Sequence, residues 1–282
     1  NLHPIIAGNF MLDGGAMFGV VPKSIWQKTN PADNNNMVKI AARCLLVEEG
    51  DRLTLIDAGM GNKQSEKFFS YYHRWGEETL VSSIRKCGFS ADDVTDVFLT
   101  HLHFDHCGGG VIRIGEDSYK TTFKNAKYWS NKAHWEWATS PNKREVASFL
   151  KENFVPVEES GQLNFLKKDE NNYLTHCDLG FDVLFVDGHT EKQMIPIINF
   201  KGQKIAFAAD LIPTAGHVPL PYIPGYDIRP LTSLKEKESF LNFCNDNNVL
   251  LFFEHDAFEE LGLVHQTERG IRLKSTLKLL DL

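Results

Sequence analysis

The chain has 282 residues, of which 42% are hydrophobic and 24% charged, and its formal net charge at pH 7 is -7. That composition is typical of a globular protein with a large core and excludes intrinsic disorder. The negative charge, without any long run of Lys or Arg, argues against nucleic-acid binding, and no apolar stretch approaches the roughly 18 residues that cross a bilayer. We therefore expect the chain to bind a small-molecule substrate and neither a nucleic acid nor a membrane. Homodimer formation is compatible with the sequence.

The five cysteines are scattered along the chain, with no CxxC pair. An odd, dispersed set is typical neither of a disulfide framework nor of a Cys-rich zinc site, so we expect a reducing, cytoplasmic location. A chain that begins at Asn1 is also compatible with a trimmed signal peptide. No linker or internal repeat divides the sequence, which predicts a single domain over residues 1–282.

Short apolar, β-branched runs predict buried strands. They are Arg52–Ile56, Val94–Thr100, Phe181–Val186, Met194–Phe200, Lys204–Ala208 and Val249–Phe253. Polar residues stand at or just beyond the ends of these runs, namely Asp57, His101, His189, Asp210 and His255. Because the carboxyl ends of strands line the ligand crevice in open α/β sheets, this recurrence is the first indication of a functional site.

Helical patterns occupy the stretches between the predicted strands. We predict helices over Glu66–Cys87 and Lys143–Phe154. A third helix is predicted to open at Ser233, which forms a capping-box pattern with Glu236, and to run to about Asn247. The alternation of strands and helices predicts the α/β (α+β) class, with helices covering the sheets.

The segment from His101 to His106 carries three imidazoles and one carboxylate in six residues. Alternation along an extended segment places His101 and His103 on one side, whereas Asp105 and His106 point elsewhere, which suggests two adjacent metal ions. Imidazoles and carboxylates without a thiolate suit zinc and tolerate iron, manganese or cobalt. The alternative is a solvated polar loop, but groups packed this closely repel and lose hydration unless a cation joins them.

This HxHxDH pattern resembles the signature of the metallo-β-lactamase-fold hydrolases. Downstream, Gly188-His189-Thr190 is similar to that family's GHT ligand, Asp210 to its bridging aspartate and His255 to its last histidine. Upstream, Asp57-Ala58-Gly59 resembles its D-T-G loop, with Ala in place of the frequent Thr. The resemblance runs from about residue 40 to residue 256 and implies a four-layer αββα sandwich.

The resemblance also implies two divalent metal ions, expected to be Zn²⁺, with iron or manganese as alternatives. The implied ligand sets are His101, His103 and His189 on one ion, Asp105, His106 and His255 on the other, and Asp210 bridging both. Asp57 is expected to support a ligand imidazole by accepting its hydrogen bond. The alternative for Asp57 is a capping role in the turn at Gly59.

Within the superfamily, the chain resembles the acyl-homoserine-lactone lactonases and the methyl-parathion-hydrolase-like enzymes. One departure is that such lactonases have a tyrosine soon after the bridging aspartate, where this chain reads Leu211, Ile212, Pro213. His217 and Tyr222 are the candidates to replace that tyrosine, with a structural or surface role as the alternative for each. The residues expected to wall an apolar substrate pocket are Phe18, Trp26, Phe104, Ile212 and His217.

We therefore expect a metal-dependent hydrolase in which a metal-bridging hydroxide attacks an ester or lactone bond of a small, partly apolar substrate. The candidate catalytic residues are Asp105, which would pass a proton to the leaving group, and Asp210, which would bridge the metals. The alternatives are a phosphotriesterase or phosphodiesterase of the same fold and a non-catalytic metal-binding sensor. Metal content together with turnover of esters, lactones and phosphotriesters distinguishes among them.

Overall fold

The computed structural model describes residues 1–282, the whole chain. Its strands are β1 (Leu2–Asp13), β2 (Met37–Glu49), β3 (Arg52–Ile56), β4 (Asp96–Phe98), β5 (Val111–Arg113), β6 (Tyr119–Thr121), β7 (Lys127–Ser130), β8 (Leu163–Phe165), β9 (Thr175–Cys177), β10 (Phe181–Val186), β11 (Gln193–Phe200), β12 (Gln203–Phe207), β13 (Leu250–Phe252), β14 (Leu261–Thr267) and β15 (Gly270–Leu277).

The α-helices are α1 (Gly14–Phe18), α2 (Lys23–Trp26), α3 (Glu66–Ser70), α4 (Leu80–Lys86), α5 (Phe104–Cys107), α6 (Lys132–Thr139), α7 (Val155–Glu159) and α8 (Pro230–Asp246). Short 3₁₀ helices cover Ala91–Asp93, Gly108–Gly110, Lys151–Asn153, Ala209–Leu211, Ala215–His217 and Leu279–Asp281. None of the helices combines the length and the apolar character that crossing a membrane requires.

The strands form two large mixed sheets and one hairpin. The first sheet has the order β1-β2-β3-β4-β7-β8, and β3, β4, β7 and β8 run parallel within it. The second sheet has the order β15-β14-β13-β12-β11-β10-β9, with one parallel pair, β12 and β13. The remaining strands, β5 and β6, pair with each other. Two mixed sheets with helices confirm the predicted α+β class.

The chain divides into two compact units. The first comprises residues 1–9 and 42–170, and the second comprises residues 10–41 and 171–282. In the first unit Leu55 and Val97 of adjacent parallel strands are fully buried. In the second unit α8 packs against β14 and β15, and its Phe240 is fully buried. The single domain over residues 1–282 stays a prediction.

Several predicted elements coincide with the structure, and others do not. The predicted strands Arg52–Ile56 and Phe181–Val186 are β3 and β10. The helix predicted over Glu66–Cys87 is wrong, because the chain forms two short helices, α3 and α4. Between them the backbone adopts positive φ at His73 and Gly76, 41° and 79°, and a new capping box at Thr79 starts α4.

Two other helix predictions also need correction. Residues 143–148 form turns rather than a helix, because the Ser148 carbonyl accepts the backbone N–H of Phe104 (3.0 Å) instead of continuing a helical ladder. The helix predicted to open at Ser233 begins earlier, with Pro230 in its first turn. The carboxylate of Glu236 accepts the backbone N–H groups of Asp187 and Gly188 instead of capping its own helix.

In the first unit, the loop after β3 and the loop after the HxHxDH segment pack backbone against backbone. Ala58 N donates to His106 O (2.7 Å), and Gly109 N donates to Gly59 O (2.9 Å). A Cβ atom at Gly109 would lie 2.1 Å from Ala58 O, so only glycine permits this approach. Since these loops carry Asp57 and His106, their packing fixes how those two side chains meet.

We expect Gly109→Ala to lower the free energy of unfolding by about 1–3 kcal/mol, because the added methyl group must force the two loops apart. Gly115→Ala is the matched control, since its Cβ would meet nothing closer than 3.4 Å. The control should change stability by less than about 0.5 kcal/mol. Chemical denaturation of both variants measures the difference, and equal stabilities would contradict the close backbone packing.

Candidate metal centre

The HxHxDH residues lie in the first unit, after β4 and along α5. His103 is the N-cap of α5, so the chain turns there and the helix carries Asp105 and His106. Nε2 of His101 lies 3.1 Å from Nδ1 of His103, and Nε2 of His106 lies 3.9 Å from Oδ1 of Asp105. All four side chains are buried. The segment therefore presents two neighbouring pairs of donor atoms.

The carboxylate of Asp57 supports two of these histidines. Its Oδ2 accepts hydrogen bonds from His106 Nδ1 (3.0 Å) and from the Thr100 hydroxyl (2.7 Å), and its Oδ1 accepts the Thr100 backbone N–H (2.7 Å). Because the Thr100 hydroxyl donates to Asp57, it accepts from His101 Nδ1 at 3.0 Å. Asp57 thus orients His106 directly and His101 through Thr100, and the Nε2 atoms of both rings keep their lone pairs.

Asp210 lies in the second unit with one carboxylate oxygen against each of two histidines. It follows Ala209, a residue with φ of 41° just after β12. Its Oδ2 lies 3.1 Å from His189 Nε2, and its Oδ1 lies 3.0 Å from His255 Nε2. A carboxylate whose two oxygens face two different histidines has the arrangement that a bridging ligand requires.

Both of these histidines are held by their other ring nitrogen. His189 Nδ1 donates to Asp227 Oδ1 at 2.9 Å, and His255 Nδ1 donates to Ala41 O at 2.8 Å. Burial lowers the pKa of His189, but the carboxylates of Asp210 and Asp227 outweigh burial and raise its pKa to about 10. The same negative potential that favours a proton on this ring favours a metal cation beside it.

These donor sets fit a divalent transition metal. Two atoms that bind one tetrahedral zinc ion at about 2.0–2.1 Å lie about 3.3 Å apart. The His101–His103, His189–Asp210 and His255–Asp210 separations of 3.1, 3.1 and 3.0 Å are close to that value. The donors are imidazole nitrogens and carboxylate oxygens, a set that suits zinc, iron or manganese. Cys107 adds no ligand, since burial raises its thiol pKa to about 12 and Sγ donates to Leu102 O.

Of the residues expected to wall a substrate pocket, most belong to the second unit and are fully buried, namely Phe18, Trp26, Ile212 and His217. Phe18 stacks on Trp26 and on His217, with ring centroids 5.1 and 4.2 Å apart. His217 Nε2 donates to Met17 O (2.9 Å), and Nδ1 accepts the Thr214 hydroxyl (2.7 Å). Burial lowers the pKa of His217 to about 3. With both nitrogens occupied, this neutral ring has no atom left to polarise a carbonyl.

Phe104, the remaining pocket candidate, lies in the first unit beside Asp105. Its ring contacts Phe68 and Tyr72, with centroids 5.4 and 5.0 Å away. Burial, together with the charge of Asp105, raises the pKa of Tyr72 to about 12, so its hydroxyl stays protonated at neutral pH. An aromatic cluster therefore adjoins Asp105, a candidate metal ligand.

Three further side chains contact the histidines and are not predicted from the sequence: Thr100, Glu145 and Asp227. Glu145 Oε1 lies 3.5 Å from His103 Nε2. The position of Thr100 directly before the motif is a sequence feature from which a contact with the motif could be predicted. Glu145 and Asp227 have no such feature, since each is an isolated acidic residue whose partner lies 42 or 38 positions away along the chain.

We expect Asp57→Asn to weaken zinc binding about 10–100-fold, because an amide cannot accept all three hydrogen bonds and its N–H₂ group clashes with the donors. Competition with a chromogenic chelator measures the affinity of the metal-free protein. Asp51→Asn, at an exposed turn position, is the control and should leave the affinity unchanged. Wild-type affinity in the Asp57→Asn variant would show that this carboxylate does not support the ligands.

Comparison with known proteins agrees with this description. The model of the metallo-beta-lactamase superfamily matches residues 40–255. An N-acyl homoserine lactonase from Bacillus cereus is 26% identical over 242 residues, which are 80% of this chain and 86% of that protein.

Two solved structures share the fold. A probable metal-dependent hydrolase from Staphylococcus aureus has a TM-score of 0.87 at 26% identity, covering 98% of this chain and 96% of its own. AidC, a dizinc quorum-quenching lactonase, has a TM-score of 0.78 at 22% identity, covering 98% and 95%. The predicted metallo-β-lactamase fold is thereby confirmed, and family and relatives point to a metal-dependent hydrolase. The chain belongs to the metallo-β-lactamase superfamily.

Proposed function

We propose that the chain is a binuclear metal-dependent hydrolase that opens lactone rings or cleaves related carboxylic esters of small, partly apolar substrates. The observation that carries the proposal is the carboxylate of Asp210, which turns one oxygen to His189 and the other to His255. A single-metal site has no need of a carboxylate divided between two ligand histidines. A shared carboxylate is the feature that links two neighbouring ions.

The proposed ligand sets follow the order of the motif along the chain. One ion is held by His101, His103 and His189, the other by Asp105, His106 and His255, and Asp210 is shared. Three separations support these sets, because they lie close to the spacing of two ligands on one ion: His101–His103, His189–Asp210 and His255–Asp210. The family match, which spans residues 40–255, includes every one of these positions. We propose zinc as the metal, since AidC is a dizinc enzyme.

Two divalent ions, when bound, would supply a water molecule of lowered pKa and an electrophile for the substrate carbonyl. The chain's own residues hold and orient the ligands, and Asp57 keeps two ligand histidines in the required tautomer. Asp105 is the residue we propose to hold the proton that the leaving alkoxide needs. Its side chain is largely buried but keeps 12% of its surface in contact with solvent.

Charge and pocket chemistry support neutral acyl substrates. The net charge of -7 offers no general attraction for polyanions. The aromatic cluster of Phe104, Phe68 and Tyr72 beside Asp105 provides an apolar wall for an acyl group. The relatives from Bacillus cereus and AidC are both described as lactonases. We also propose a cytoplasmic location, because all five cysteines are free and four of them are buried.

Elemental analysis of the purified, zinc-supplied protein should give two ions per chain. The kcat/KM for acyl-homoserine lactones or aryl esters should be higher than that for phosphotriesters, phosphodiesters or RNA. Asp210→Ala should lose nearly all activity, since it removes a ligand from both ions, while Asp51→Ala should retain it. If a phosphotriester or phosphodiester had the highest kcat/KM, the chain would be a phosphoesterase of the same fold and not an esterase or lactonase. Two bound ions without turnover of any substrate would favour a metal-binding sensor.

A further inference from the structure

A buried carboxylate in the first unit lies outside the motif and its ligand sets. Glu145 is only 3% exposed and lies in the turns of residues 143–148. Its Oε2 accepts hydrogen bonds from Trp137 Nε1 (2.8 Å) and Asn142 Nδ2 (2.5 Å). Both donors are neutral groups. A buried carboxylate with neutral donors is costly unless positive charge lies nearby.

The other oxygen of this carboxylate faces His103. Glu145 Oε1 lies 3.5 Å from His103 Nε2, with both side chains buried. On the far side of the same ring, Nδ1 lies 3.1 Å from His101 Nε2. The ring of Phe149 packs against His103 with centroids 4.8 Å apart. His103 is thus placed with one nitrogen toward the other motif histidine and the opposite nitrogen toward Glu145.

The same region of the chain also holds the backbone on both sides of His103. Leu102 N donates to His134 Nε2 at 2.8 Å, and Phe104 N donates to Ser148 O at 3.0 Å. These contacts do not involve the Glu145 side chain. They show independently that the segment from α6 to Phe149 fixes the motif at this one position.

A metal binds an imidazole only through an unprotonated nitrogen. When Nδ1 of His103 is the ligand atom, Nε2 must carry the proton, and a carboxylate is the acceptor that best favours this tautomer. At 3.5 Å the Glu145 carboxylate faces Nε2 of this ring, and its negative charge favours the proton there, the more so when a metal ion on Nδ1 would polarise the N–H bond. In the proposed ligand set, His101 and His106 would bind through Nε2 and His103 through Nδ1, so His103 needs an acceptor of its own at Nε2.

We propose that Glu145 is a positioning residue of the metal centre, which fixes the tautomer and orientation of His103 so that Nδ1 binds the metal. This inference rests on the proposed function, because it takes His103 as a ligand. Glu145 acts only through His103 and contacts no substrate.

The test compares zinc affinity and the His103 ring in the full-length protein. In Glu145→Gln the side chain keeps its shape, and we expect the zinc dissociation constant to rise 10–100-fold. Glu136→Gln, on the exposed face of α6 with 66% of its side chain accessible, is the matched control and should leave the constant unchanged. Thermal unfolding of the metal-free variants separates loss of fold from loss of affinity.

Nitrogen-15 NMR of the zinc-loaded wild type provides a readout that does not depend on any variant folding. It should show a protonated Nε2 on His103, with its proton shifted downfield by the carboxylate. An unprotonated Nε2, or a Glu145→Gln affinity within threefold of wild type, overturns the inference while leaving the proposed hydrolase intact. Weakened zinc binding in Glu145→Gln supports the inference even where the wild type hydrolyses no lactone. A wild type that binds no zinc overturns both.

Discussion

The candidate centre depends on hydrogen bonds that the proposed ligand histidines make through the ring nitrogen on the side away from the metal. Those outer contacts are His101 to Thr100, His106 to Asp57, His189 to Asp227 and His255 to the carbonyl of Ala41, at 2.8–3.0 Å. Each bond restricts the rotation of its ring and directs the opposite nitrogen toward the proposed metal. Ordering the ligands in this way before the metal arrives lowers the entropic cost of binding it.

Two strained residues place the carboxylates that organise these histidines. Asp57 and Ala209 have φ of 57° and 41°, a region that residues with a side chain rarely adopt. Strain of this kind costs about 1–3 kcal/mol per residue and persists only where surrounding contacts enforce it. At Asp57, three hydrogen bonds to the side chain hold the residue in this conformation. At Ala209 the strained turn directly precedes Asp210, whose two oxygens must reach two different histidines.

The parts of this site that the sequence predicts are those whose chemistry is local. The spacing of His101, His103, Asp105 and His106 predicts a metal-binding segment, because groups packed this closely repel and lose hydration unless a cation joins them. Strands such as β3 and β10 are predicted because a buried strand is a short apolar run. These features need no knowledge of distant contacts.

The parts that escape prediction depend on tertiary contacts. The apolar pattern of residues 66–87 continues across a break that is set by the turn at His73 and Gly76. The segment after Asn142 has helical residues, yet it turns so that Glu145 and Ser148 reach the motif. Asp227 carries no sequence signal, and its role arises only from its contact with His189.

The central claim is that Asp210 joins two ligand sets into one binuclear centre. Anomalous X-ray diffraction at the zinc edge, on crystals of the zinc-loaded protein, tests it most directly. We predict two anomalous peaks per chain, one bound by His101 and His103 and the other by Asp105 and His106, with Asp210 contacting both. A single peak, or two peaks of which Asp210 contacts only one, would contradict the claim.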